Sequence, residues 1–186
     1  KDDFIFVFGG NMGIPQNLVS FVDIANEMQY LKKIKFVFIG HGTEKKGLVK
    51  KVKENNIKNV IFINQMDRLD YQDFLSSCDV GIISLDPRFT FPNFPSKILD
   101  YLKHGLPIIA ALDKFALADA GELIESQIQA GLVSNSNDLE GTKENIFKLF
   151  SDDDLRKRFS LNGSSYFKKN FNVVNRYSDF KKIINN

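Results

Sequence analysis

The feature that most constrains the fold is a series of short, wholly apolar runs separated by segments of helical periodicity. The runs are rich in β-branched and aromatic residues and cover residues 4–8, 36–39, 60–63, 80–85 and 108–111, with a short sixth at 132–133. A strand that is apolar on both sides is buried on both faces, which is typical of a parallel sheet covered by helices. The sequence therefore predicts an α/β fold with a doubly wound, mostly parallel six-stranded sheet flanked by helices.

The segments between the runs have the apolar spacing of helices. They predict helices over residues 17–31, 48–52, 71–77, 96–104 and 118–129, and C-terminal helices from residue 138 that break near residues 151 and 170. Asp70 is the expected N-cap of the third helix, and Ser96 is expected at the N-cap or in the first turn of the fourth. In such a fold, ligands bind in the loops that follow the strands, close to the switch in strand order.

Composition excludes several classes of protein. The chain has 186 residues, of which 43% are hydrophobic, which fits one domain with a substantial core. The formal net charge of +2 does not call for a nucleic-acid partner. The single cysteine, Cys78, excludes an internal disulfide framework and fits a reducing, cytoplasmic location. The two histidines and one cysteine lack close ligand spacing, so we expect no metal site.

The loop after the first run, GGNMGIPQN, is a candidate phosphate site. Its glycines let the backbone turn tightly toward a helix start, where free amides and the helix dipole attract anions. The spacing is not G-x-G-x-x-G, so the dinucleotide fingerprint is absent, and a plain strand-to-helix turn is an equal alternative. In the next loop, GHGT, we interpret His41 as a solvent-facing histidine without a chemical role.

The stretch FPNFPSKILDYLKHGLPIIA, residues 91–110, carries the strongest local signal. Pro95 fixes the backbone before a helix start, and Lys97 falls in the first turn. A cation there opposes the helix dipole and costs a few tenths of a kcal/mol, up to about 1 kcal/mol. A phosphate at the helix start would reverse that cost. The alternative is a lysine that simply extends into water.

Asp100 lies three residues after Lys97 and shares its helix face. The pair is either an ordinary ion pair, worth about 0.2–0.5 kcal/mol, or part of a binding site. In a site, a carboxylate one turn behind a bound diphosphate is placed to accept hydrogen bonds from ribose hydroxyls. The pattern then indicates a nucleoside diphosphate.

Seven segments follow one another in an order typical of a single enzyme family. They are GGNMGIPQN, FIGHG, VIFINQM, CDVGIISL, PNFPSKILDYLKHGLPIIA, AGLV and FNVVNRYSDFKKII. With them the chain resembles, over essentially its whole length, the C-terminal donor-binding domain of retaining glycosyltransferases of the GT-B fold, family four in their classification. The resemblance implies a Rossmann-like nucleotide-sugar-binding domain over residues 1–169. It also implies a C-terminal helix over 170–186 that packs toward an N-terminal acceptor domain, so the chain, which starts at Lys1 rather than Met, is expected to be an excised domain.

The resemblance carries over to the two acids of the family motif only in part. Asp100 matches the second Glu, which implies a contact with ribose. Pro92 matches the first Glu, which in the family contacts the donor sugar. A proline cannot make that contact, so Asn93 or another group would replace it.

The family's diphosphate-binding Arg and Lys are also replaced. Asn11 and Gln16 stand at these positions, and Lys97 is the candidate to restore one positive charge. The nucleotide base is expected near Gln65 and Met66. The full set of expected donor-binding residues is Gly10, Asn11, Met12, Gln16, Gln65, Met66, Asn93, Pro95, Ser96, Lys97 and Asp100.

The resemblance implies transfer of a hexosyl group from a nucleotide sugar, with retention at the anomeric carbon. The leaving diphosphate would itself take the acceptor proton, Lys97 would stabilise the leaving group, and no metal or other cofactor would be required. A UDP-sugar such as a UDP-N-acetylhexosamine is the expected donor. The PSK form of the helix is similar to that of bacterial enzymes of surface polysaccharide assembly, which predicts a saccharide or lipid-linked acceptor of O-antigen or capsule type.

Alternatives remain open at this point. The chain could be a nucleotide-binding module without transfer activity, or half of an epimerase of UDP-sugars, and on its own it is expected to be inactive. Residues 32–53 contain eight lysines and one glutamate. They form either solvated helix faces or a peripheral contact with anionic lipid on the cytoplasmic face of the inner membrane.

Overall fold

The computed structural model describes residues 3–88 and 94–171, and strands and helices alternate through both ranges. The strands are β1 (Phe4–Gly9), β2 (Ile34–Ile39), β3 (Val60–Ile63), β4 (Val80–Ser84), β5 (Ile108–Leu112) and β6 (Gly131–Asn135). The helices are α1 (Leu18–Glu27), α2 (Lys45–Glu54), α3 (Arg68–Leu75), α4 (Lys97–Lys103), α6 (Leu139–Ser151) and α7 (Asp153–Asn170). Helix α5 starts as Lys114–Ala116 and continues through two π-helical stretches, Leu117–Gly121 and Leu123–Gln127; one 3₁₀ turn, Ile14–Gln16, precedes α1.

The six strands form one sheet in the order β3-β2-β1-β4-β5-β6, and every neighbouring pair is parallel. The doubly wound α/β prediction is therefore confirmed. The strand order reverses between β1 and β4, which puts the topological switch point at the carboxyl ends of these two strands.

Two apolar cores cover the two faces of the sheet. On one face, phenylalanines of adjacent strands pack together, as in Phe6 against Phe36, whose ring centroids lie 5.3 Å apart. Helices α1, α2 and α6 cover this face. The other face carries aliphatic residues such as Val7 and Val37, under α3, α4 and α5. The central strands are mostly apolar because both of their faces are buried, as the sequence predicted, whereas Ile61 in the edge strand β3 is exposed.

The starts of two helices differ from prediction because other aspartates cap them. Asp67 caps α3: its Oδ1 accepts hydrogen bonds from the amides of Leu69 and Asp70, both at 2.9 Å. The expected cap, Asp70, lies inside the first turn of that helix. Asp113 caps α5 in the same way, so this helix starts four residues before the predicted position. The helix break predicted near residue 151 is confirmed, since Asp152 ends α6 and caps α7.

The C-terminal prediction lies largely outside the described residues. Helix α7 ends at Asn170. The helix expected over 170–186 lies, apart from its first two residues, outside the described part of the chain. No helix within 3–88 and 94–171 is long and apolar enough to cross a membrane.

Candidate functional site

A cleft of about 490 Å³ opens at the carboxyl ends of β1, β2 and β3, between the first turns of α3 and α4. It lies at the switch point, where this class of sheet binds ligands. Seven of the residues predicted from the sequence line it: Gly10, Asn11, Gln65, Met66, Ser96, Lys97 and Asp100. The structure thus brings the loop after β1, the loop after β3 and the start of α4 around one space.

The remaining predicted residues lie elsewhere. Gln16 and Pro95 line a second, smaller pocket of about 160 Å³, which shares Ser96 and Lys97 with the main cleft. Met12 is fully buried in the core and does not line the main cleft. Pro92 and Asn93, on which the replacement of the donor-sugar contact depends, lie outside the described residues.

Close backbone packing between two loops shapes the cleft floor. The amide of Met12 donates to the carbonyl of His41 at 2.6 Å, and the amide of Glu44 donates to the carbonyl of Met12 at 3.0 Å. Gly40 has a φ of +132°, and a β carbon there would overlap the carbonyl of Gly10. Glycine is therefore required at position 40 to let the loops after β1 and β2 run side by side.

Lys97 is a partly desolvated cation at the centre of the site. Its Nζ lies 4.7 Å from the centroid of the Phe8 ring, and a β carbon built on Gly10 would be 3.3 Å from that Nζ. Burial lowers the pKa of Lys97, and the charge of Asp100 opposes this shift only in part. Among the described residues, no carboxylate lies within ion-pair distance of Lys97. An anion entering the cleft would therefore gain a nearly unpaired positive charge.

The start of α4 offers fewer free amides than the sequence led us to expect. Ser96 occupies the cap position in a helical conformation and makes no side-chain cap bond. The amides of Ile98 and Leu99 already donate to the carbonyls of Pro95 and Ser96, at 3.0 and 3.1 Å. The ammonium of Lys97, rather than a row of bare amides, is thus the main attraction that this helix holds for an anion.

The structure adds cleft residues that the sequence reasoning did not select. Arg68 and Tyr71 line the cleft from α3, and His41, to which the sequence gave no role, lines it from the loop after β2. Arg68 falls in the first turn of α3 and opposes the helix dipole there, as Lys97 does in α4. A cation in the first turn of a helix could have been recognised from the sequence. It was missed because the predicted helix began at residue 71, three residues after Arg68.

Tyr71 forms part of the cleft floor. A β carbon on Gly9, the last residue of β1, would overlap the Tyr71 hydroxyl, so the ring lies directly against the end of the strand. Burial raises the pKa of Tyr71, and its hydroxyl therefore stays protonated at neutral pH. No group of three or more histidine, cysteine, aspartate or glutamate side chains is arranged as a metal site within the part of the chain that the structure describes.

The fold and the cleft define a doubly wound, Rossmann-like α/β protein with a ligand-sized cleft at the switch point, and a family comparison makes the class specific. The model of the family "Glycosyl transferases group 1" matches residues 1–166, and the chain belongs to this family. A curated relative, the uncharacterized glycosyltransferase MJ1069 of Methanocaldococcus jannaschii, is 23% identical over 171 residues. The match covers 92% of this chain and 41% of the relative.

Solved structures share the fold. A mutant of TarM of S. aureus, in complex with fondaparinux, alpha-GlcNAc-glycerol and UDP, has a TM-score of 0.80 at 15% identity, over 100% of this chain and 36% of that one. Anabaena Alr3699/HepE, in complex with UDP and glucose, has a TM-score of 0.79 at 16% identity, over 99% and 48%. At such identities the likeness shows the fold, that of GT-B glycosyltransferases. The chain spans less than half the length of these proteins.

Proposed function

We propose that this chain is the donor-binding half of a retaining glycosyltransferase, of family four type, and that it holds a nucleoside-diphosphate sugar. One observation carries the proposal: the partly desolvated, unpaired ammonium of Lys97 lies in a cleft at the switch point, with Asp100 one turn behind it. The volume of about 490 Å³ lies within the usual range for small-molecule sites, about 300–1,000 Å³.

In this proposal each wall of the cleft binds a different part of the nucleotide sugar. The diphosphate contacts Lys97 and the backbone of Gly10 from the cleft side, and Arg68 on the other wall adds a second positive charge to the site. Asp100 accepts hydrogen bonds from the ribose hydroxyls. The base lies by Gln65 and Met66, after β3. The donor sugar extends toward the smaller pocket that shares Ser96 and Lys97 with the cleft.

The reaction breaks the bond between the anomeric carbon and the diphosphate oxygen and forms a bond from that carbon to the acceptor oxygen. The bonding electrons leave with the diphosphate, and the charge that develops there is stabilised by Lys97. The departing diphosphate takes the acceptor proton on the same face of the sugar, which gives retention. The proposal includes no metal and no cofactor.

The donor and acceptor are assigned by analogy. UDP is present in the TarM and HepE structures described above, and it supports a UDP-sugar here, with UDP-N-acetylhexosamines included. We propose a saccharide or lipid-linked acceptor of bacterial surface polysaccharide type, bound by an N-terminal domain of the whole protein. The enzyme would act in the cytoplasm.

A basic helix supports peripheral binding to the inner membrane. Lys46, Lys50 and Lys53 are exposed along one side of α2, at positions i, i+4 and i+7. Lys50 lies 3.7 Å from Glu54, whereas Lys46 and Lys53 make no ion pair with any described residue. Each basic residue close to an anionic bilayer contributes about 1 kcal/mol of attraction. Cosedimentation with phosphatidylglycerol vesicles, compared with phosphatidylcholine vesicles, tests this contact, and equal sedimentation with both would exclude it.

A module without transfer activity is the second candidate, and the loss of the donor-sugar Glu at Pro92 favours it. An epimerase half is a third. An assay of the whole protein with UDP-sugar and a saccharide acceptor separates them. A transferase lengthens the acceptor, an epimerase changes the free donor, and a binding module does neither.

Calorimetric titration of the chain with UDP tests the proposed site directly. Lys97→Ala should weaken UDP binding by about 1–3 kcal/mol, the scale of a lost hydrogen bond to a charged group. Lys103→Ala is the matched control, because Lys103 is an exposed lysine at the other end of α4 and does not line the cleft. If UDP does not bind, or binds equally to both variants, the site assignment is wrong.

A further inference from the structure

The hydroxyl of Tyr101 lies where β1 and β4 separate. These strands pair at only two positions, Phe6 with Val80 and Val7 with Gly81, whereas β1 and β2 pair at six. The Tyr101 hydroxyl is 3.2 Å from the carbonyl of Val7, in β1, and 3.0 Å from the carbonyl of Ile82, in β4. The single hydroxyl hydrogen can donate to either carbonyl, or to both in a three-centre bond, so this contact links α4 to both strands where they diverge.

Burial keeps this anchor in place. Tyr101 is fully buried, and burial raises its pKa, so that the hydroxyl remains a donor at neutral pH. Its ring lies directly over Gly81, at which a β carbon would meet the ring at 2.5 Å. Glycine inside a strand is ordinarily unfavourable, and it often marks a place where another group approaches closely. Here the missing side chain makes room for the tyrosine.

The first turn of α4 is held by the packing of the whole helix, in which Ile98 and Leu102 are also fully buried. The helix has seven residues, and Ser96 does not cap it with its side chain. Lys97 lies four residues, or about one helical turn, before Tyr101. Asp100 directly precedes Tyr101 in the chain. The contacts of the Tyr101 hydroxyl with the two strands therefore contribute to the height of both cleft residues above the end of β1.

We propose that Tyr101 is a positioning residue, whose hydroxyl sets the distance at which α4 presents Lys97 and Asp100 to the Gly9–Gly10 loop. This inference rests on the proposed function, because Lys97 and the adjacent Gly10 backbone together form the proposed contact surface for the diphosphate of the nucleotide. Tyr101 does not itself line the cleft; it acts through the helix that it anchors, and its hydroxyl also interacts with Tyr71 on the cleft floor.

Tyr101→Phe tests the inference, with Tyr166→Phe as the matched control. Tyr166 is a partly buried tyrosine on α7 that does not line the cleft. We expect Tyr101→Phe to fold and to bind UDP about 3–10 times more weakly, and Tyr166→Phe to bind as the wild type does. Lys97→Ala should also lose less affinity in the Tyr101→Phe background than in the wild type, because the ammonium is already displaced.

The inference would be overturned if Tyr101→Phe bound UDP as tightly as the wild type does. It would also be overturned if the losses of UDP affinity in Tyr101→Phe and Lys97→Ala simply added in the double variant. A lower melting temperature of Tyr101→Phe would not rescue it in either case. A crystal structure of Tyr101→Phe provides a readout that does not depend on the ligand. It should show a changed separation between the Lys97 Nζ and Gly10, and an unchanged separation would equally overturn the inference. If the wild type binds no nucleoside diphosphate, the proposed function fails, and this crystallographic comparison still decides the role of Tyr101.

Discussion

At the scale of single residues, the site depends on one lysine held in a position that is unfavourable without a ligand. Lys97 lies over Phe8 in a half-buried place and lacks an ion-pair partner among the described residues. Its lowered pKa means that the folded state disfavours the charged form. Function and stability therefore make opposite demands on this position.

Replacement of Lys97 by methionine should stabilise the protein while weakening UDP binding. Methionine keeps the length and the contact with Phe8 but removes the desolvated charge. We expect the thermal midpoint at pH 7 to rise by about 2–4 °C, which corresponds to about 1 kcal/mol for a chain of this size. Differential scanning calorimetry with and without UDP measures both effects, and a lower midpoint without ligand would contradict this reading of Lys97.

The sign of the pH dependence follows from the same shift. Between the lowered pKa of folded Lys97 and the ordinary value of 10.5, the unfolded chain binds one more proton than the folded chain. Stability of the wild type relative to Lys97→Met should therefore rise with pH in this range. The difference in thermal midpoint between the two proteins should shrink as the pH approaches that ordinary value.

Asp100→Asn should separate a ribose contact from a purely structural role. If the carboxylate accepts hydrogen bonds from the ribose, the variant loses about 1–3 kcal/mol of UDP affinity but little affinity for inorganic diphosphate. Parallel titrations with the two ligands measure this. Equal losses for both ligands would assign Asp100 to the support of Lys97 instead.

At the scale of elements, α4 packs over the place where β1 and β4 separate, and its first turn lines the cleft. Gly81→Ala should disturb that packing, since the new methyl group overlaps the ring of Tyr101. We expect a loss of about 1–3 kcal/mol in the free energy of unfolding, the usual cost of overpacking. In a Tyr101→Ala background the same change should cost much less. Urea unfolding of the four proteins measures this coupling, and additive losses would mean that the ring and Gly81 are not in contact.

How far the sequence predicts these elements depends on what fixes each of them. The strands were predictable because burial of both faces leaves continuous apolar runs such as residues 108–111, which lie within the fully buried strand β5. The start of α3 was not, because Asp67 and Asp70 are both good caps and only the final path of the loop selects one. The burial of the Met12 side chain could not be predicted either. Its loop is held by backbone hydrogen bonds to the loop after β2, a segment that is distant in the sequence.

The same limit applies to the candidate site. Lys97 and Asp100 were found because they lie within a few residues of one another and their spacing has a physical meaning. Arg68 and Tyr71 line the cleft from α3. The position of α3 beside α4 follows from the order of the strands in the sheet, and local sequence patterns do not encode that order. Residues that meet through topology are therefore the ones that a reading of the sequence alone leaves out.

At the scale of the whole molecule, the proposed function makes this chain one side of a larger binding site. It matches relatives of which it spans less than half, so we expect nucleotide binding without sugar transfer when it is tested alone. In a thermal-shift panel of nucleoside diphosphates and their sugars, UDP compounds should raise the midpoint most. A larger shift with GDP or ADP compounds would revise the proposed base, and turnover of the donor by the chain alone would show that this side suffices for chemistry.

The tyrosine that forms the cleft floor also gives the protein a natural optical probe. The chain has no tryptophan, so its ultraviolet emission comes from tyrosine alone, and Tyr71 is the one of its five tyrosines seen to line the cleft within residues 3–88 and 94–171. A pyrimidine base that binds beside the Tyr71 ring should quench part of the tyrosine fluorescence. Donor occupancy can then be followed in real time on the unlabelled protein, without a dye and without any change to the sequence.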